Sequence, residues 1–260
     1  MHLDSQIAAI MAEAEDWQAL RDQSGEARLD VYLDLKSPHA YLAVRPSLEI
    51  ARDFNVQVNF LPYTLSYIEL GVSTSVEEDR LRRPSTPAAD RKARMYYAAA
   101  REYSALQSLP FRTPQRLLDS ANAHRAFLFA KLQGLEVPFA MWVYLHGWGS
   151  GWRNFELESS ADLEAACRQV GVDVTDFHAF IDDDGEGAKS LADIMTSAEA
   201  SGLVGTPHFV FYDRVHQRHQ GLFGREHLAL IRGKFLDYEL AKHPNVVADF
   251  PHNWKGPAPD

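Results

Sequence analysis

The sequence predicts an α/β protein in which a four-stranded mixed sheet carries an inserted all-helical block. Three observations predict it. Apolar and polar residues alternate near the two ends of the chain, at residues 29–35, at 56–60 and again after residue 207, and period-two alternation marks a half-buried strand. Between about residues 66 and 200 the apolar positions recur at helical spacing instead. Neither terminal two-strand piece can bury a core alone, so the two must pair into one sheet.

Composition sets the outer bounds. A chain of 260 residues, 46% hydrophobic and 24% charged, can bury one large core or two small ones. A formal net charge of -10 repels phosphate backbones, which argues against nucleic acid as a partner. The one cysteine, Cys167, allows neither an internal disulfide nor a zinc site built on two or more thiolates. The N-terminal stretch MHLDSQIAAIMAEAEDW lacks the basic start and continuous apolar core of a signal peptide. No apolar run approaches the roughly 20 residues that cross a bilayer. The expectation is a cytoplasmic protein that does not engage membranes.

Taken in order, residues 5–22 read as an amphipathic helix, with Ile7, Ile10, Met11 and Ala14 at helical spacing and Ser5 as a cap. Leu29, Val31, Leu33 and Leu35 alternate with Asp30, Tyr32 and Asp34 as a strand. Ser37-Pro38 follows, and serine suits an N-cap as proline suits the first helical position. Tyr41, Val44, Leu48 and Ala51 fall on one helical face, with Pro46 inside expected to kink the helix. Val56, Val58 and Phe60 form a second strand, which completes a βαβ unit with parallel strands. Five helical segments lie between residues 89 and 202, and Gly134, Gly171 and Gly202 are suited to stop three of them. The polar stretch STSVEEDRLRRPSTPAADRK reads as a loop. After Pro207, residues 208–212 and a turn at Asp213-Arg214 begin a strand pair, and Gly224 precedes a last helix with Leu228, Ile231 and Phe235 on one face. This order, β-α-β, helical block, β-β-α, is a thioredoxin-like architecture with a helical insertion. The expected boundaries are a helical extension over 1–28, a thioredoxin-like domain from 29–65 and 203–240, an insertion over 66–202, and an extended tail over 241–260.

Several stretches resemble a known family. DLKSPHAYLA is similar to the opening motif of the 2-hydroxychromene-2-carboxylate isomerases and kappa-class glutathione transferases. LVGTPHFVF resembles their glycine-proline segment, and GLFGREHLALI resembles the start of their last helix. The three stand in the family's order, and the resemblance runs over about residues 29–236. It implies a dimeric thioredoxin-like protein that binds glutathione and acts on a small-molecule substrate. Ser37 is then the residue beside the glutathione sulfur, and Thr206-Pro207 is a cis-proline turn whose residue 206 backbone pairs with the cysteinyl part. Arg225 and Glu226 take the places that hold the γ-glutamyl end. The chain departs from the pattern there, with Arg225 for a small or amide residue, Glu226 for aspartate and His227 for arginine.

The chemistry of these residues supports a thiol site. A thiol reacts as its thiolate, and free cysteine ionises only near pH 8.5, roughly. A helix N-terminus carries partial positive charge, and a serine hydroxyl can donate a hydrogen bond to a sulfur anion, worth roughly 1.5–3 kcal/mol. Serine would thus activate a borrowed thiol in place of a protein one. Other side chains read more plainly. His216 and His219 are three apart on an expected strand, so they face opposite sides. His124 and His146 lie among apolar helix residues as packed histidines, and His39, two residues past Ser37, would point away from it. Trp142, Tyr144, Trp148 and Trp152 read as core, with some able to line an aromatic pocket if the insertion is a lid, as are Tyr96 and Tyr97. Cys167 reads as an inert packed thiol.

Three functions compete at this level. One is a glutathione-dependent isomerase or transferase. The second is a thioredoxin-like binding module that lost its redox cysteines and holds a peptide or protein partner. The third, a disulfide oxidoreductase, conflicts with Ser37 and Ala40 where two cysteines would stand.

Overall fold

The computed structural model describes residues 3–72, 74–77, 80–82 and 86–250. Two helices, α1 (Leu3–Met11) and α2 (Ala14–Arg21), precede β1 (Ala27–Leu33), and α3 (Pro38–Tyr41) and α4 (Val44–Asp53) lead on to β2 (Val56–Pro62). A short hairpin of β3 (Ser75–Glu77) and β4 (Arg80–Arg82) opens the insertion. Six helices follow: α5 (Pro87–Leu106), α6 (Ala121–Leu132), α7 (Glu136–Ser150), α8 (Ser160–Gln169), α9 (Phe177–Ile181) and α10 (Glu186–Ala200). The chain returns through β5 (His208–Asp213), β6 (Arg218–Phe223), a 3-10 turn at Arg225–His227 and α11 (Leu228–Asp237).

The four main strands form one sheet in the order β2-β1-β5-β6. β1 runs parallel to β2, pairing Val31 with Phe60, and antiparallel to β5, pairing Val31 with Phe209. β5 and β6 are antiparallel neighbours. This is the mixed sheet expected from the two chain ends. β2 keeps the period-two signature, with Val56, Val58 and Phe60 buried and Gln57 and Asn59 partly exposed. β1 is central and covered on both faces. Leu29, Val31 and Leu33 join the main core, while Tyr32 packs with Tyr63, Ala198, Leu203 and Val210 on the other side. The main cluster runs without a gap from the sheet into α6, α7 and α8, so the insertion shares its core with the sheet.

Several expectations are corrected. The N-terminal helix is two helices. The break after Met11 lets α1 lie on α7 while α2 packs against both α7 and α4. Ile7, Ile10 and Trp17 are buried there, Arg45 covers the Trp17 ring at 5.1 Å, and Arg21 pairs with the buried carboxylate of Glu136. The helix after Ser37 is broken, not kinked. Pro46 has no N–H to give back to the Leu42 carbonyl, and the chain stops being helical at Leu42 and Ala43; the Gln107 side-chain amide donates to that freed carbonyl at 2.9 Å. The polar stretch at 73–92 holds the β3–β4 hairpin and the start of α5, where the Thr86 hydroxyl accepts the Ala89 N–H at 3.2 Å. Residues 73, 78, 79 and 83–85 of that stretch lie outside the described residues, as do 251–260 of the tail. His216 sits in the turn between β5 and β6, not on a strand, and its ring meets Asp213 at 3.0 Å.

One buried network fixes the end of β1. The Asp34 carboxylate has no exposed surface. It accepts from Lys36 Nζ at 2.8 Å, the Ser120 hydroxyl at 2.7 Å, the Lys36 N–H at 2.9 Å and the Leu65 N–H at 2.8 Å. Burial alone would raise its pKa, but the Lys36 charge and the hydrogen bonds hold it well below the usual carboxylate range. His124 joins from α6. The Leu35 N–H donates to its Nε2 at 3.0 Å, so Nδ1 carries the proton and donates to Thr64 Oγ1 at 2.7 Å. The Asp34 oxygen 3.4 Å from Nε2 would favour a proton there instead. The shorter contact and the burial that lowers the ring's pKa favour the neutral form. Asp34→Ala leaves the Lys36 ammonium buried without its counter-charge. It is expected to cost about 3–5 kcal/mol in urea unfolding, and a loss below about 1 kcal/mol would show the pair to be dispensable.

Candidate active site

Ser37 stands where the sequence places it, between the Asp34 network and the first turn of α3. Its N–H donates to the Asp34 carbonyl at 2.8 Å, which makes a tight turn after β1. Its hydroxyl accepts the Ala40 N–H at 3.3 Å as an N-cap and points to the Thr206 carbonyl at 3.4 Å. That second contact is long for an O–H···O bond, so the Ser37 proton is weakly held. The capped helix is a single turn, Pro38–Tyr41. The macrodipole expected at this place is correspondingly small, because it grows from aligned peptides along a longer helix. The hydroxyl remains the chief chemical asset of the position.

Opposite it, the Thr206-Pro207 peptide is cis, as the resemblance implied. Thr206 is buried, and its hydroxyl oxygen has no hydrogen-bond partner among the described residues. A cavity of about 300 Å³ opens beside this turn, lined by His39, Tyr96, Tyr103, Thr206, Pro207, Phe223, Gly224, Arg225 and Glu226. Gly205 allows the close fit of its wall, since a Cβ there would lie 2.6 Å from the Phe223 ring. Gly224 adopts a φ of 106°, which favours glycine, and sends the chain into the 3-10 turn that presents Arg225 and Glu226.

The sequence-read residues therefore meet, with one qualification. Thr206, Pro207, Arg225 and Glu226 line the cavity, whereas Ser37 is 2% exposed and stands behind the wall. Arg225 is buried, and its guanidinium lies 4.4 Å from the centre of the Tyr103 ring, folded to the side of the cavity. Burial lowers its pKa to about 10, so it stays charged at neutral pH.

Helix α5 supplies what the sequence reading undervalued. Tyr96 and Tyr103 are seven residues apart and both face the cavity, the spacing that repeats one helical face. Burial of the Tyr96 hydroxyl raises its pKa, although the residue as a whole is 43% exposed. His39 lines the cavity that Ser37 does not reach. Its ring packs edge-on to Tyr96 at 4.6 Å. Burial, followed by the Arg225 charge, lowers the His39 pKa to about 4, so the ring is neutral at physiological pH. The i,i+7 tyrosines were a usable signal in the sequence; the contact of α5 with α3 was not.

The remaining candidates are structural. Trp148 and Trp152 pack edge to face in the core, Tyr144 donates to the Asp34 carbonyl at 3.1 Å, and Trp142 stacks on His146. None of these lines the cavity. Cys167 is buried and its thiol is pushed up to about 12, an inert group. Among the described residues no three His, Cys, Asp or Glu side chains gather as a metal site, and no helix is long and apolar enough to cross a membrane.

A thioredoxin-like sheet interrupted by helices, with a cis-proline turn facing the start of α3, defines the class. The family model of the DSBA-like thioredoxin domain matches residues 28–235, and the chain belongs to that family. No curated protein sequence matches it. Among solved structures it is similar to a 2-hydroxychromene-2-carboxylate isomerase, at 16% identity and a TM-score of 0.63, covering 81% of this chain and 95% of the other. It is also similar to a probable DsbA oxidoreductase from Streptomyces coelicolor, at 18% identity and a TM-score of 0.58, covering 76% and 84%. A third similar structure is the cytosolic disulfide reductase DsbM from Pseudomonas aeruginosa with GSH, at 17% identity and a TM-score of 0.55, covering 82% and 97%.

His39 on the cavity wall and His208 at the start of β5 make stability depend on acid. The His39 and His208 pKa values are both lowered to about 4, chiefly by burial, and an unfolded histidine titrates near 6.5. The unfolded chain binds more protons between those values, so stability present above pH 6.5 is lost as the pH falls toward 4. Each histidine adds a slope of at most about 1.4 kcal/mol per pH unit. His208→Gln is expected to reduce the pH dependence of urea unfolding by one proton in this window, and an unchanged dependence would show that His208 titrates normally.

Proposed function

We propose that this protein is a glutathione-dependent enzyme, an isomerase or transferase acting on a small aromatic or conjugated molecule, with the Ser37 position stabilising the glutathione thiolate. Glutathione would supply a nucleophilic sulfur that adds reversibly to a conjugated carbon. The observation that carries the reading is the cavity of about 300 Å³ between the Thr206-Pro207 turn and α5, which is at the lower end of small-molecule pockets, roughly 300–1,000 Å³.

The residues present fit such a ligand. Thr206 offers an unpartnered buried hydroxyl beside backbone suited to a short peptide edge. The Arg225 guanidinium provides a bidentate donor for a carboxylate, and Glu226 provides an acceptor for an ammonium. Arg225 lies against Tyr103 and leaves the cavity open, which favours a ligand site over a scaffold whose pocket has been filled. Tyr96, Tyr103, Phe223 and Pro207 give the cavity apolar walls for an aromatic co-substrate. With His39 neutral, the site presents no imidazolium, and protonation is left to the hydroxyls.

Two comparisons support the reading. The 2-hydroxychromene-2-carboxylate isomerase shares the fold, and the DsbM structure is one with GSH. DsbM is a disulfide reductase, and here Ser37 and Ala40 stand where a cysteine pair would be needed for that chemistry. The resemblance also leads us to read the enzyme as a cytoplasmic homodimer. Isothermal titration with glutathione tests the reading. Binding at millimolar concentration or tighter is expected, and Ser37→Ala should raise the pKa of the bound thiol; heat-silent titrations to millimolar ligand would exclude a glutathione site.

A further inference from the structure

We propose that the outward face of α5 is the contact between two copies of this chain, with the helix crossing its symmetry mate antiparallel at Ala98. The proposal rests on the homodimer reading above, names its surface, and is independent of glutathione. Its ground is a long helix that the protomer leaves thinly covered. Of the 20 residues of α5, only Ala100 and Ser104 are buried. Met95 and Leu106, two large apolar side chains, stand exposed on it.

Residues 91, 94, 98, 101 and 105 follow one another at spacings of three and four, which sets them on one helical face. Tyr96 and Tyr103 stand two residues beyond 94 and 101, about half-way round the helix, where they line the cavity. The face is thus turned away from the site. Its charges lack partners within the protomer. Arg91, Arg94, Arg101 and Glu102 are exposed, and their side chains make no ion pair or hydrogen bond among the described residues. Elsewhere Arg28, Arg116, Arg125 and Arg168 each meet a carboxylate. In a chain with 36 acidic residues against 26 basic ones, three arginines without a carboxylate on one face mark a place for a carboxylate from outside.

A second copy of the same helix supplies it. Arg94 and Glu102 are eight residues apart, about 12 Å along the axis, too far to pair within one helix. A two-fold axis at Ala98 sets position 94 opposite 102 of the other copy, 95 opposite 101 and 91 opposite 105, as an isologous contact requires. Arg94 then meets Glu102 of the partner subunit, and symmetry makes the pair twice. The Arg101 stem lies along Met95 of the partner subunit, carbon against carbon. Arg91 reaches the last turn of the second α5, which has no basic residue of its own and favours a cation. Ala98 at the crossing lets the axes approach toward the near end of the roughly 8–10 Å range. The helix carries Arg91, Lys92, Arg94 and Arg101 against Asp90 and Glu102, so it is locally basic in a chain of net charge -10 and escapes the general repulsion between copies. The helix that lends two tyrosines to the cavity is then held from outside by the second copy.

The test is sedimentation velocity of the full chain over a concentration series at low and high salt, with circular dichroism to confirm that each variant folds. Wild-type protein is expected to dimerise reversibly, and more weakly at high salt. Arg94→Glu and Glu102→Arg should each weaken the dimer about tenfold, since symmetry counts each change twice. The double variant Arg94→Glu/Glu102→Arg rebuilds the pair with its charges exchanged and should return the dimer to near wild-type strength. A dimer indifferent to both single changes would overturn the proposal and leave the homodimer standing on another face. A folded double variant that stays as weak as the single ones would overturn it too. Protein that remains monomeric at every concentration would remove the homodimer reading and the proposal together.

Discussion

A carboxylate buried at the end of β1 determines where the rest of the site can stand. Asp34 holds Lys36, Ser120 and the Leu65 N–H around itself, and its own carbonyl accepts from Ser37 and Tyr144. A charge in such a place is tolerable only when every lone pair is met. Meeting them brings together β1, the segment after β2, the start of α6 and the middle of α7. The sheet domain and the insertion are thus joined by a network that is far costlier to leave half-made than to complete. Ser37 sits one residue past the lysine of that network, and its orientation follows from it.

The second constraint is a proline. Pro46 cannot donate to Leu42, so the segment after Ser37 becomes one turn and a separate helix. The break gives the Leu42 carbonyl to Gln107, just past the end of α5. A side-chain bond from the insertion thus replaces a helix bond of the sheet domain. The same break shortens the helix that Ser37 caps and moves the emphasis of the site from a macrodipole to hydroxyl groups. Helix α5 is then close enough to lay Tyr96 on His39 and Tyr103 on Arg225.

Much of this was legible in the sequence. Period-two alternation located β1 and β2, and the need of each strand pair for a partner led to the mixed sheet that is observed. Ser37-Pro38 announced a cap with proline at the first helical position, and both are present. Thr206, Pro207, Arg225 and Glu226 were picked out by resemblance, and they line one cavity. What escaped was tertiary. The packing of α5 over α3, which sets the His39 ring against Tyr96 on the cavity wall, leaves no local pattern. Ser37 was expected beside the bound sulfur, but it is 2% exposed and is not among the residues that line the cavity. The hairpin at residues 75–82 is three residues a side, too short to register as alternation.

Should glutathione act here, its sulfur must find a hydroxyl in a cavity whose polar groups are few. A crystal structure of the protein soaked with glutathione observes that encounter directly. The expected result is a tripeptide lying along Thr206, its γ-glutamyl end at Arg225 and Glu226, and its sulfur on the Ser37 side of the Thr206-Pro207 turn. A ligand whose sulfur points out of the cavity, or a cavity that stays empty under saturating ligand, would contradict it.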